Sequence, residues 1–229
     1  SGIFPELKFE FVGQTFLAVT YALETELLRP IDFSVLTDNI EFRRHTTVVA
    51  FDTGLLRQMT FHADYRWGSR VLYDSPVGEP PSLAGRTSAN ITLTVRPSRS
   101  LRIDNTYLLF RLHERKGSSG IFNDHIIRSK WNYQYNKELS FRFIGEYDAL
   151  LANPANTSLK TSKRFNADFL VTYLLHPNTA LYIGYNSNLE NVLLPLQSDP
   201  GAVNGLARGR SFHNDGRNFF VKASYLFRF

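Results

Sequence analysis

The sequence lacks cysteine, long apolar runs and any segment with a sustained helical period of 3.6 residues. Without cysteine it can form neither a disulfide framework nor a thiolate metal site. No run of about 18 apolar residues exists, which excludes a transmembrane helix. Without a helical period, we expect little helix. These absences point to a sheet protein, which either stays in water or crosses a membrane with strands.

Motifs for binding metals, nucleotides or nucleic acids are also missing. The net charge is +5, but the basic residues are scattered along the chain and form no patch of the kind that binds nucleic acid. We therefore expect no cofactor, no metal and no nucleic-acid partner. The sequence starts at Ser1 without the apolar segment of a signal peptide, so we expect a processed chain or a fragment of a longer one.

What the sequence does contain is alternation of apolar and polar residues, which predicts strands with one apolar and one polar face. The stretch 59–67, MTFHADYRW, alternates without a break. Aromatic residues make up 14% of the chain, an excess that favours a barrel with aromatic girdles over a water-soluble sheet. We predict about ten strands, with centres near 15–24, 47–51, 59–67, 89–95, 101–109, 127–135, 141–148, 165–173, 181–185 and 219–229, and the stretch 7–11 is a further candidate for a short strand.

The predicted connections alternate between short and long. Short ones lie at 52–57, 96–100, 136–138 and 176–178, and longer ones at 29–40, 74–84, 114–123, 152–161 and 187–216. Short periplasmic turns that alternate with longer extracellular loops are typical of outer-membrane barrels. We therefore predict an all-β, antiparallel transmembrane β-barrel of about ten strands, or the C-terminal part of a larger barrel, formed as one domain by residues 1–229 and located in the bacterial outer membrane.

Such a barrel would place the faces that carry Trp67, Tyr133, Phe169 and Tyr225 against lipid. Each Arg or Lys near the membrane midplane would cost roughly 2–4 kcal/mol, so the charged faces should point inward. These residues either line a polar lumen or fill and stiffen the interior with ion pairs. The predicted lumen-lining residues are His62, Asp64, Arg66, Arg102, Asp104, Arg128, Lys130, Arg142, Glu146, Asp148, Arg164, Asp168 and Lys222.

Two groups of residues are candidates for more specific chemistry. His62 and Asp64 share a strand face, and a carboxylate beside a histidine can orient a general base, although any strand with a polar face produces this spacing freely. The predicted loop 187–216 carries Arg208, Arg210 and His213. These could contact an anionic group such as a sugar phosphate or lipopolysaccharide, or they could belong to a solvated loop without a ligand.

Several segments resemble the domain-of-unknown-function 5916 family. They are RTSANITLTVRPSRSLRIDNTYL at 86–108, RSKWNYQYNKELSFRFIGEYD at 128–148, FLVTYLLHPNTALYIGYN at 169–186 and the ending FFVKASYLFRF. The resemblance implies an outer-membrane barrel larger than this chain, often preceded by a carbohydrate-binding family-9-like module. On that basis we expect a C-terminal portion of a longer protein or a shortened relative. The family has no established catalytic residues, so the resemblance assigns none.

We carry three hypotheses for function. The first is a channel for small polar solutes, including carbohydrate-related ones. The second is a structural barrel that anchors an envelope protein assembly, without transport or catalysis. The third, an outer-membrane hydrolase that uses His62, is the least favoured, so we expect no enzyme. The expected partners are outer-membrane lipid and lipopolysaccharide, the barrel-assembly machinery, and further barrel strands or envelope proteins.

Overall fold

The computed structural model describes residues 2–117, 119–176, 179–192 and 208–225. Within these ranges twelve strands form one antiparallel sheet, and no helix is present. The predicted all-β antiparallel fold is confirmed, with two more strands than the ten expected. The strands are β1 Gly2–Ile3, β2 Glu6–Phe11, β3 Thr15–Leu28, β4 Ile40–Thr53, β5 Met59–Leu72, β6 Ser82–Val95, β7 Leu101–His113, β8 Gly120–Gln134, β9 Leu139–Ala152, β10 Ser162–His176, β11 Thr179–Val192 and β12 Arg208–Tyr225.

The strands follow one another across the sheet in chain order from β3 to β12, and both β1 and β2 pair with β3. Gly2 and Ile3 pair with Glu24 and Leu23, while β2 pairs with the first part of β3. The sheet therefore has eleven positions across its width, because β1 and β2 share one position.

The strands from β3 to β11 are uniformly long, with 13 to 15 residues each. Strands in globular proteins commonly have about 5–6 residues. At about 3.3 Å per residue, 14 residues extend over roughly 46 Å. The alternation in the sequence marks the centres of these strands, and the structure extends nearly all of them at one or both ends.

The predicted alternation of short and long connections is confirmed by the strand bounds. Connections of two to five residues follow β2, β4, β6, β8 and β10, whereas connections of six to fifteen residues follow β3, β5, β7, β9 and β11.

The prediction of a loop over 187–216 is wrong at both ends. Strand β11 continues to Val192 and β12 begins at Arg208, with His213 paired to Glu190 and Arg208 to Val192. The register shifts twice in this part of the pair, between Asn188 and Leu189 and between Glu190 and Val192. A shift of register breaks the two-residue alternation, which is why the sequence pattern missed these strand ends. Residues 193–207 and the predicted strand end at 226–229 lie outside the described residues.

The chain divides into two compact units, and strands β6 to β9 contribute to both. Unit 1 comprises Ser1–Thr92, Tyr107–His125 and Leu150–Thr161, and unit 2 comprises Leu93–Thr106, Ile126–Ala149 and Ser162–Phe229. Unit 1 contains two small clusters of buried apolar side chains. One consists of Leu72, Ala84, Leu112 and Ile121, and the other of Leu28, Leu36 and Val71.

Two glycines allow close approach between neighbouring strands. Gly68 has a φ of 153°, and a Cβ on it would lie 2.0 Å from the carbonyl oxygen of His45 on β4. Next to it, the backbone N–H of His45 donates to Ser69 Oγ at 3.0 Å. In unit 2, the ring of Phe220 covers its register partner Gly184, where a Cβ would lie 2.2 Å from the ring. The ring of Phe220 therefore fills the space above a glycine.

Candidate functional site: the charged face of the sheet

In unit 1 the register of β3, β4 and β5 separates charged from aromatic side chains. Register partners share a face of the sheet, and successive residues along a strand alternate between faces. Glu24 pairs with Arg44 on one face, whereas Val49 pairs with Tyr65 and Thr47 with Trp67 on the other. The structure thus places the predicted residues His62, Asp64 and Arg66 on the face opposite Tyr65 and Trp67, which we call the charged face.

The first ion-pair group on the charged face joins β3 to β4. Arg44 Nη1 contacts Glu26 at 3.0 Å, and Arg44 Nε lies 3.4 Å from Glu24. Glu26 also accepts a hydrogen bond from the hydroxyl of Tyr73, just beyond the end of β5, and Phe33 stacks on the Tyr73 ring. Partial burial, together with the hydrogen bond to Glu26, raises the pKa of Tyr73 above its usual value. Tyr73, and Phe33 from the connection 29–39, therefore cover the ion-pair group beside Glu26.

The second group joins β4 to β5 and surrounds His62. The imidazole Nδ1 lies 2.7 Å from Asp52, and Nε2 lies 3.4 Å from Asp64. Asp64 is only 5% exposed and accepts a hydrogen bond of 2.6 Å from Arg66 Nε. A general base needs one ring nitrogen free to accept a proton from its substrate, and both nitrogens of His62 face carboxylates. The arrangement suits a structural ion-pair chain, and it gives the hydrolase hypothesis no support.

Three members of these groups were missed by the sequence analysis. Asp52 was assigned to a turn, but β4 continues to Thr53 and Asp52 pairs with His62. Arg44 and Glu26 lie beyond the predicted centres of their strands. Their alternation with apolar neighbours is poor, because Glu41 and Arg43 put charge on the other face of β4 as well. Only the strand register could have revealed these partners.

In unit 2 the predicted residues form smaller, separate contacts. Arg102 Nε lies 2.9 Å from Asp104, which also accepts a hydrogen bond of 2.7 Å from Thr94. Arg128 Nε lies 3.6 Å from Glu146. Asp168 accepts a hydrogen bond from Asn186, its register partner on β11. The charged face of unit 2 thus carries isolated pairs where that of unit 1 carries connected groups.

The remaining predicted residues are not brought into ion pairs within the described part of the chain. Lys130 lies on β8, Arg142 and Asp148 on β9, Arg164 on β10 and Lys222 on β12. Of the predicted loop contacts, His213 lies in β12 and its Nε2 is 3.2 Å from Ser211 Oγ. Arg208 and Arg210 also belong to β12, and their side chains lie outside the described residues. A ligand contact by these three residues remains a prediction.

A further basic group on unit 1 was not singled out from the sequence. The guanidinium groups of Arg70 and Arg86 lie 5.2 Å and 5.5 Å from the ring centroid of Phe110. Arg86 Nε is buried and has no hydrogen-bond partner. Neither arginine forms an ion pair with a described residue. No pattern in the sequence predicts this group, because it joins three strands through side chains alone.

Aromatic rings form a continuous row on the opposite face of unit 2. Tyr135 contacts Tyr133, Tyr133 stacks on Phe141, and Phe141 contacts Phe169, with centroid separations of 6.3–6.5 Å. Trp131 shares their face of β8 and donates a hydrogen bond of 2.8 Å to Ser129. Rings with apolar bodies and polar tips are enriched where a membrane meets water.

Among the residues the structure describes, no group of three or more histidine and carboxylate side chains could hold a metal ion. No helix there is long and apolar enough to cross a membrane.

Comparison with known proteins gives matches among solved structures only. No protein-family model matches the chain, and no curated protein matches it. It is similar to a solved trimer form of OmpT, an outer-membrane protein of Vibrio cholerae, with 13% identity and a TM-score of 0.47 over 96% of this chain and 63% of that one. It thus spans less than two thirds of that protein. A second OmpT structure from Vibrio cholerae matches with 12% identity and a TM-score of 0.44 over 92% of this chain and 78% of that one. The NanC porin matches with 12% identity and a TM-score of 0.39 over 99% of both chains.

Proposed function

We propose that the strands belong to a transmembrane β-barrel of the bacterial outer membrane, and that its charged face lines a path for small polar solutes. The observation that carries this proposal is the segregation of side chains. Apart from the Glu41–Arg43 pair near the start of β4, the ion pairs of the long strands lie on one face, and the row of aromatic rings lies on the other. An outer-membrane barrel needs this division, because its outer face meets hydrocarbon while its interior is polar.

The length of the strands supports the same proposal. Transmembrane strands need about 9–11 residues at a tilt to cross the membrane. Strands β3 to β11 exceed this requirement by a few residues each, enough to reach the interfacial regions on both sides. A water-soluble sheet has no such requirement for nine consecutive strands of nearly equal length.

The number of positions in the sheet favours completion by further strands. Single-chain bacterial barrels have an even number of antiparallel strands, and this sheet has eleven positions. We propose that additional strands complete the barrel. A barrel larger than this chain is also what the resemblance to the domain-of-unknown-function 5916 family implies. The proposal of carbohydrate-related solutes depends on that resemblance alone.

Conductance across a planar bilayer tests the channel. Protein folded in detergent and added to the bilayer should give discrete conductance steps. Arg128→Gln on the charged face should change the cation-to-anion permeability ratio, whereas Arg57→Gln in the exposed connection between β4 and β5 should not. Protein that inserts but leaves the bilayer sealed would contradict the channel and favour an anchoring barrel.

Liposome swelling tests the class of solute. Vesicles that contain the protein should swell in isotonic solutions of small sugars faster than vesicles without it. Sugars and amino acids of equal size should then be compared. Equal rates for the two would refute a preference for carbohydrates, while leaving the channel itself in place.

A further inference from the structure

A cavity of about 380 Å³ lies in unit 2, where β6, β7, β8 and β9 begin or end. The connection 96–100 lines it with Arg96, Arg99 and Ser100, strand β7 with Arg102, and strand β9 with Ser140 and Arg142. Its volume lies within the range of about 300–1,000 Å³ that is usual for small-molecule sites. The cavity is separate from the ion-pair groups around His62 and Arg44, which belong to unit 1.

The charged residues that line this cavity are all positive. Four arginines line it, and no carboxylate does. Arg96, Arg99 and Arg142 form no ion pair with any residue that the structure describes. Arg102 is paired with Asp104, but the two hydrogen bonds of that pair, at 2.9 Å and 3.0 Å, both come from Nε. The terminal nitrogens of Arg102 are therefore not used by Asp104.

The arginines of the ion-pair groups have a different environment from those of the cavity. Arg44, Arg66 and Arg128 each contact a carboxylate on their own or a neighbouring strand. Like charges that gather in one cavity repel one another, and a bound anion relieves the repulsion. The cavity is thus built for a negative partner that the described chain does not itself supply.

The chemistry of the lining selects the kind of anion. The guanidinium group presents a planar fork of donors that matches the oxygens of a phosphate, and several arginines around one group are a recurring phosphate site. Ser100 and Ser140 offer hydroxyl donors to the remaining oxygens. Tyr133 and Phe141 also line the cavity and belong to the aromatic row on the other face. Because alternate residues of a strand face opposite sides of the sheet, those rings point away from the side chains of Ser140 and Arg142, and the serines and arginines carry the site.

We propose that the cavity lined by Arg96, Arg99, Arg102 and Arg142 binds a phosphate group. The group belongs either to a soluble phosphate ester or to the headgroup of a membrane lipid. The proposal goes beyond solute passage, because it assigns a ligand to a site at the ends of the strands, and it holds whether or not the protein conducts.

The test measures binding of two probes to the protein in an uncharged maltoside detergent. Glycerol 3-phosphate, titrated by calorimetry with glycerol as the uncharged comparison, represents the soluble ester. Phosphatidylglycerol in mixed micelles, scored by native mass spectrometry against diacylglycerol, which lacks the phosphate, represents the lipid headgroup. We expect saturable binding of at least one phosphate probe.

The double variant Arg99→Gln/Arg142→Gln should weaken that binding about tenfold or more, because charge-assisted contacts are lost. The matched control, Arg57→Gln/Arg115→Gln, removes the same charge from two exposed connections of unit 1 and should bind as the parent does. Binding of glycerol 3-phosphate alone assigns the site to a solute, and binding of phosphatidylglycerol alone assigns it to a lipid. Absence of saturable binding to both probes, or equal weakening in both double variants, overturns the proposal. Circular dichroism of each variant verifies the sheet.

Discussion

Units 1 and 2 are made of the same kind of strand, but they bury apolar side chains very differently. Unit 1 buries leucine, isoleucine and valine in two clusters, and Leu36 from the connection 29–39 completes one of them. In unit 2 the buried apolar residues, among those described, are only Ala149 and Ala180. Many of its large apolar side chains, including Phe169 and Tyr133, are exposed. Among its described residues, unit 2 therefore has no buried cluster of large apolar side chains.

The two units differ in what must cover them for the fold to be stable. Extended apolar surface on a protein marks a face that something else covers. Unit 1 gains stability from its own buried side chains, whereas unit 2 depends on its strand ladder and on whatever covers its aromatic row. If that cover is lipid, changes to buried residues should matter most in unit 1, and changes to exposed aromatic residues should matter most in unit 2.

The largest effect should come from emptying the core of unit 1. Leu112 is 3% exposed and packs with Leu72, Ala84 and Ile121. Leu112→Ala should lower the free energy of unfolding by about 2–5 kcal/mol, as cavities in packed clusters do. Urea unfolding in lipid vesicles measures the loss. Leu108→Ala, on the same strand at a partly exposed position, should cost clearly less, and equal losses would refute a distinct core.

The next effect should come from placing a charge on the aromatic face of unit 2. Phe169 lies at the centre of β10, and a charged residue near the membrane midplane costs about 2–4 kcal/mol. Phe169→Arg should therefore lower stability in vesicles by that amount. Thr172→Arg, on the opposite face of the same strand, is the control and should have little effect. If both variants are equally stable in vesicles, this face does not meet hydrocarbon.

A smaller effect should distinguish the ion pairs of the two units. Arg66→Gln leaves the buried carboxylate of Asp64 without its closest donor, which should cost about 1–3 kcal/mol. Arg128→Gln removes a longer, more exposed pair in unit 2 and should cost under about 1 kcal/mol. Unfolding in urea compares the two. Adding Asp64→Asn to Arg66→Gln should recover part of the loss, and a larger cost for Arg128→Gln would contradict this ranking.

The smallest effect concerns Gly184 in unit 2. A methyl group there would meet the Phe220 ring, but a ring at the end of a side chain can turn aside. Gly184→Ala should therefore destabilise by about 1 kcal/mol. In a Phe220→Leu background the same change should be close to neutral. An undiminished cost in that background would show that the backbone, and not the ring, requires glycine.

The sequence predicted the strand centres well, because a one-sided apolar pattern such as 59–67 leaves little choice of face. It failed where both faces carry charge, as at Glu41, Arg43 and Arg44 in β4. It failed again at 208–216, where shifts of register interrupt the alternation. These strand ends form ordinary backbone pairs with the neighbouring strand. Their own sequences do not alternate between apolar and polar residues, so the pattern does not reveal them.

The candidate sites were harder to predict than the fold. The charges of one face could be assigned by counting alternate residues, and His62, Asp64 and Arg66 do share a face. Their partners could not be assigned, because the contact of Asp52 with His62 depends on the register across a turn. The arginine cavity of unit 2 combines a turn with the ends of three other strand segments, so no single stretch of sequence reveals it.

The orientation of the aromatic face can be measured most directly with the two tryptophans. Trp67 lies on the aromatic face of unit 1 and Trp131 on that of unit 2, and both are substantially exposed. Single-tryptophan variants, Trp67→Phe and Trp131→Phe, should be folded into vesicles of brominated phospholipid. If the aromatic face meets lipid, each remaining tryptophan should be quenched strongly by the bromine atoms and weakly by iodide in the water. Full fluorescence in brominated lipid with strong quenching by iodide would contradict it.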